Sequence, residues 1–220
     1  MNYQKSALAL ITVLLSIATT TLLVAQDSSE PKKELQAKAG EKQPNDSQMM
    51  ALMLEMAKPG ENHKRMQELV GTWSYTSKWW MDPEAAPSES SGTTITRSVM
   101  GGRYIISDHT GHMQMPGADG KMMDMEFKGM AIEGYDNAKK KFVASWVDNM
   151  GTGIMNLEGS YDAATKTLTY YAEYEPMPGM KTKLREVVTK TDNDHHRLEF
   201  FEDRGGKEVK TMQIDYTRKS

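Results

Sequence analysis

The densest set of potential metal ligands is His109-Thr110-Gly111-His112-Met113-Gln114-Met115, followed across a turn by Met122-Met123-Asp124-Met125. Imidazole and thioether suit copper, and thioethers favour its reduced form. On a strand, His109 and His112 point to opposite faces, whereas His109, Met113 and Met115 share one. A hairpin closing across the turn adds Met123 or Met125 to that face. The competing reading is packing, because methionines are flexible apolar fillers of irregular space. A second set is Asp148, Glu173 and Arg185. Inside an apolar cavity a carboxylate and an arginine orient a ligand's polar end, and on an outer strand face they are ordinary surface charges. His63, His195 and His196 are the remaining imidazoles. Catalytic signatures are missing from the sequence: there is no Gly-x-Ser-x-Gly, no His-Glu-x-x-His, no phosphate-cradling glycine loop and no cysteine. Gly151-Thr152-Gly153 reads as hairpin punctuation.

The elements that must position these residues come from the periodicity. From Thr72 onward apolar residues alternate, with Gly, Asn, Asp and Pro clusters between the runs. Strands are expected at about 72–81, 91–99, 102–113, 122–134, 141–148, 153–160, 167–175, 181–190, 196–202 and 208–218. Two connections, Tyr135-Asp136 through Lys140 and Tyr161-Asp162 through Lys166, repeat one turn chemistry, as hairpins of a single meander do. An antiparallel sheet of about ten strands is too large to stay flat, so it closes or splits into two layers. Alternation groups Trp73, Tyr75 and Trp79 on one face, Phe142, Ala144, Trp146 and Asp148 on another, and Met212, Ile214, Tyr216 and Arg218 on a third. Trp80 points opposite to Trp79. Parity does not label which face is the interior.

Ahead of the strands the chain changes character twice. Lys5 precedes an uncharged run from Ala7 to Ala25, which has the form of a signal peptide over 1–25. Its length is close to the roughly 20 residues that span a bilayer, so an uncleaved anchor is the alternative. Both readings export the domain, to periplasm or extracellular space, and the second tethers it to a membrane. Residues 26–46 are polar and charged and read as a disordered linker. Residues 47–70 read as short helices, capped at Asp46 or Ser47, broken at Pro59-Gly60 and stopped by Gly71. The net charge of -3 gives no basic excess, so nucleic acid is not an expected partner.

Several motifs together carry a family resemblance. They are Lys58-Pro59-Gly60-Glu61-x-His63, Leu69-x-Gly71-Thr72-Trp73, Gly101-Gly102-Arg103, Gly134-Tyr135-Asp136-Asn137, Ser145-Trp146-Val147-Asp148 and Met150-Gly151-Thr152-Gly153. Over about Lys58 to Lys219 the chain resembles the bacterial domain-of-unknown-function family 1579, and its Gly-x-Trp opening resembles that of the calycins. The resemblance implies an all-β, antiparallel, lipocalin-like closed barrel over 71–219, with no established reaction. It also implies that Trp73 seals the barrel floor and that Arg218, on the last strand, lies across its ring, and analogy with nitrobindin-type barrels makes one of His63, His195 and His196 a candidate haem ligand.

The expected function is therefore binding of a small apolar or amphipathic molecule by an exported barrel. Trp79, Trp80, Trp146, Asp148, Tyr170 and Arg185 are the candidate ligand contacts, and whichever of Trp79 and Trp80 faces inward at the rim is foremost. Two alternatives stand beside it: a cell-envelope module with a packed interior, and copper binding through His109, Met113, Met115, Met123 and Met125. No resident cofactor is expected beyond those copper and haem possibilities.

Overall fold

The computed structural model describes residues 45–117 and 121–220. The expected signal segment and the linker as far as residue 44 lie outside the described residues. Helix α1 (Asp46–Met56) is capped one or two residues earlier than the expected Asp46 or Ser47. Asn45 is the cap: its side chain accepts from the Gln48 amide, and the Gln48 side chain accepts from the Asn45 amide. This reciprocal pair satisfies two otherwise orphaned donors. After Pro59-Gly60 comes α2 (Glu61–Gln67), where His63 Nδ1 accepts from the Gly60 amide at 2.9 Å.

Ten strands then close into one antiparallel barrel: β1 (Gly71–Trp79), β2 (Ser88–Val99), β3 (Tyr104–Pro116), β4 (Met122–Asp136), β5 (Lys141–Asp148), β6 (Met155–Asp162), β7 (Thr167–Met177), β8 (Met180–Lys190), β9 (His195–Asp203) and β10 (Glu208–Arg218). Each strand pairs with its sequence neighbours, and β10 returns to β1, pairing Trp73 with Arg218 and Tyr75 with Tyr216. The expected all-β closed barrel is the observed fold. Strand β3 begins two residues later than its alternation predicts because Met100–Gly102 forms a 3-10 turn, with Gly101 and Gly102 both at positive φ. The two look-alike connections are alike in structure: Asp136 accepts from the Ala138 amide and Asp162 from the Ala164 amide, and Lys140 and Lys166 share a φ of 55°.

Closure decides which face is inside. Trp73, Tyr75 and Ser77 of β1 are buried, as are Phe142 of β5, Tyr170 and Ala172 of β7, Leu184 of β8 and Tyr216 of β10. One cluster packs Met66 of α2 onto Ile105, Phe142, Leu157, Tyr170, Ala172 and Leu184, and a second joins Trp73, Tyr75 and Tyr216. Burying such aromatic and branched side chains contributes about 1.5–3 kcal/mol each. Strand β10 carries one irregularity, between Lys210 and Met212, where Thr211 is the extra residue. It turns Lys210 outward while Met212 stays level with the inward Phe200.

Candidate functional site

The floor of the barrel is built from β1, β10 and the segment after α2. The Arg218 guanidinium lies 4.0 Å from the centre of the Trp73 ring. Its nitrogens donate to the carbonyls of Val70 (2.7 Å), Glu68 (2.9 Å) and Asn193 (3.0 Å), and Trp73 Nε1 donates to Leu69 O at 2.8 Å. The carbonyls that a short helix leaves unpaired at its C-terminal end are thus satisfied by a cation, which also opposes the helix dipole. Gly71 makes the approach possible: its φ is 142°, and a Cβ there would lie 2.3 Å from an Arg218 nitrogen. His63, 4% exposed, packs edge-on against Tyr135 with ring centres 5.8 Å apart. Burial lowers its pKa, so at neutral pH it is an uncharged strut under the floor.

Above the floor the interior is unusually rich in ionisable groups. His196 of β9 stacks on Tyr216 at 4.3 Å and meets Trp73 edge-on at 4.4 Å. Its Nδ1 is buried without a hydrogen-bond partner. His109 of β3 contacts Thr94 Oγ1 through Nδ1 at 2.8 Å and packs against Trp146 at 5.1 Å. Burial holds both imidazoles down to about 4. Glu133 of β4 accepts a hydrogen bond from Tyr170 Oη at 3.2 Å, and burial raises its pKa. Glu186 of β8, paired in register with Tyr170 and Phe200, is pushed up to about 8 by burial and then by the charge of Glu133. Both carboxyls are enclosed by protein yet keep some accessible surface.

A cavity of about 310 Å³ beside α2 reaches Glu133, with Glu186 outside its lining. Met66, Leu69, Phe142, Leu168 and Val188 supply apolar wall, Glu133 a carboxyl, and Arg65, Lys166 and Lys190 cations. Arg65 lies 4.1 Å over the Tyr161 ring, and Lys190 is paired with Glu68 and Asn193. A cavity at the lower end of the usual ligand-pocket range of about 300–1,000 Å³ takes a small molecule, not a long lipid.

The sequence-derived contacts divide between the two sides of the wall. Tyr170 is central and fully buried. Trp146 faces inward, with Gly129 opposite: a Cβ there would come within 2.4 Å of the indole. Asp148 shares that face but is occupied at the strand end, accepting from Trp146 Nε1 (2.7 Å) and the Met150 amide (2.9 Å). Trp79 is the inward member of its pair, at the rim away from the cavity. Trp80 is outside, 5.3 Å from the outward Lys210 ammonium.

Arg185, expected as an interior contact, also faces outward. It alternates with the inward Leu184 and Glu186, lies over Phe201 at 4.1 Å and donates twice to Glu208. The interior charge on β8 is its neighbour, Glu186.

The proposed copper ligands do share one face. Met113 pairs with Met125 and Met115 with Met123 across the β3–β4 hairpin, while His109 pairs with Gly129. His109 is two inward positions below Met113, about 13 Å along the strand, and its ring is engaged by Thr94 and Trp146. The histidine and the methionines are therefore separated. Among the described residues no group of three or more His, Asp and Glu is placed to hold a metal ion. Of the haem candidates, His63 is locked beneath the floor, exposed His195 contacts Asp192, and His196 stacks inside.

Residues 58–218 match the family described as "Protein of unknown function (DUF1579)". The chain belongs to that family. No curated protein matches it. Among solved structures it is similar to Rv2717c from M. tuberculosis, at 11% identity and a TM-score of 0.50, over 74% of this chain and 100% of that one. At that identity the likeness extends to the fold alone. The interior of this barrel holds groups that motif reading assigned to no site: Glu133, Glu186 and Tyr216. A signal for Glu133 existed, because pairing Tyr135 with Phe142 across the repeated turn puts Glu133 opposite Ala144, on the Trp146 face. Glu186 had no comparable marker, because its neighbours Val187 and Val188 are apolar on both faces.

Proposed function

We propose that the barrel binds a small amphipathic molecule, entering beside α2 and resting against the Glu133 wall. The observation that carries this reading is the cavity of about 310 Å³, which joins an apolar wall to an enclosed carboxyl and a cationic mouth. Apolar lining with a few placed polar groups is the usual composition of ligand sites. Export of the domain follows from the uncharged run Ala7 to Ala25 behind Lys5, and N-terminal sequencing of the mature protein tests it. The binding test is native mass spectrometry of the purified protein beside a Leu168→Trp variant, in which an indole fills the cavity. A retained small-molecule adduct on the wild type, lost in the variant, is the expected result. Equal retention by both, or none by either together with no uptake of added amphiphiles, leaves a packed envelope module.

A further inference from the structure

Resting on the binding reading above, we infer that the ligand carries a protonated amine, seated between the carboxyls of Glu133 and Glu186 against the tyrosine faces. Among the described residues no lysine or arginine reaches either carboxyl. Glu133 receives the Tyr170 hydroxyl at 3.2 Å, and Glu186 receives no hydrogen bond from any described residue. Separately, Tyr216, only 5% exposed, has no partner for its hydroxyl among the described residues. A buried carboxyl without a partner costs more than almost any other group, and so does a buried hydroxyl. Glu186 on β8 and Tyr216 on β10 thus face one interior without partners among the described residues, beside Glu133 on β4, whose carboxyl accepts from Tyr170.

The neighbouring groups do not supply the missing charge. Facing Glu186 from the other strands are Glu133 (β4), Tyr170 (β7) and Tyr216 (β10), and Tyr75 (β1), His109 (β3) and His196 (β9) pack around Tyr216. Both histidines are held neutral by burial, and the tyrosines are neutral donors. An anionic ligand would meet like charge, and a purely apolar one would leave Glu186 and Tyr216 unsatisfied. A primary ammonium brings three donors and one positive charge, enough for both carboxyls and a tyrosine oxygen. The Tyr75 and Tyr216 rings, 5.9 Å apart, add π-faces that attract a cation. The cavity supplies the route: Glu133 lies on its wall, and Val188, also on that wall, is one inward position from Glu186.

When the carboxyl pair holds a proton, an entering ammonium expels it to solvent, so binding at neutral pH releases a proton. The test is calorimetric titration of the full chain at pH 7.5 with octylamine, 1-octanol and octanoate, in two buffers of different ionisation heat. Wild type is compared with Glu186→Gln and Glu133→Gln, each checked for fold by circular dichroism. Octylamine is expected to bind at least tenfold tighter than octanol, with octanoate weakest and a buffer-dependent heat reporting proton release. Glu186→Gln removes the tenfold preference and leaves octanol affinity in place. If octanol binds as well as octylamine, or the preference survives both substitutions, the amine inference is overturned and the cavity reading stands. If none of the three binds, both fall.

Discussion

At the floor of the barrel, Trp73, Arg218 and the carbonyls of Glu68, Leu69 and Val70 are joined by directed hydrogen bonds under a stacked guanidinium. The opposite rim has Met115, Met122, Met123, Met150, Met155, Met177 and Met180 at its strand ends and turns, several of them well exposed. Directed contacts fix a geometry, whereas thioether chains adapt to one. The cavity lies on the fixed side, beside α2. The indole-rich rim, where the tryptophans drew the eye, is the adaptable side.

Breaking the floor should therefore cost much more than altering the rim. Trp73→Ala removes a fully buried indole and is expected to cost about 3–5 kcal/mol. That lowers the melting temperature by about 10 °C or more in a domain of this size. Gly71→Ala forces a side chain into positive φ and displaces Arg218, for about 3 kcal/mol. Gly153→Ala, at a rim turn where nothing lies within 4 Å of the added carbon, should stay within about 0.5 kcal/mol. A chemical-denaturation series on the two glycine variants would break the comparison if they proved equal. Arg218→Lys keeps the charge but loses the planar fork that meets three carbonyls. We expect about 2 kcal/mol lost, with a Trp fluorescence shift from Trp73, and no shift would mean that the guanidinium is dispensable.

The interior adds a pH signature of its own. Glu186 binds its proton more tightly folded than unfolded, so its contribution is complete below about pH 4.5 and is lost as pH rises toward 8. His109 and His196 do the reverse, since their folded pKa values of about 4 lie below the unfolded 6.5. Their contribution is present above 6.5 and lost as pH falls through 4. Stability should therefore peak between about pH 4.5 and 6.5 and decline by a few degrees of melting temperature toward pH 8. Glu186→Gln should flatten the alkaline limb and melt above wild type at pH 8.5, and a variant that tracked wild type there would place the titration elsewhere. The smallest expected effect is at the rim: Met115→Leu and Met123→Leu should each change stability by less than about 1 kcal/mol.

Much of the barrel was legible in the sequence because each of its signals is local. Alternation, the Asp-capped turns at Asp136 and Asp162 and the stop at Gly71 are set by a few adjacent residues, and the strands fall within a few residues of their expected bounds. The candidate site was legible only in part. Parity put Trp79 and Trp80, or Arg185 and Glu186, on opposite faces without saying which face was inner, and closure put Arg185 on the outer one. His109 and Met113 share a parity class, yet sharing a face across four residues does not bring two side chains together.

What the sequence determined by itself was the sum of local preferences: an antiparallel meander of about ten strands, entered through Gly71 and Trp73 and ended at Arg218, with closure implied by the family resemblance. What only the tertiary structure decided was where charge went. The pairing of β10 with β1 turned one face of every strand inward at once, enclosing Glu133, Glu186, Tyr216 and two histidines from five different strands. No one of those strands reveals the enclosure, because burial of a carboxyl depends on what the other strands place around it. The same closure set α2 over one end and left a cavity there, a consequence of packing between distant segments that residue spacing does not encode.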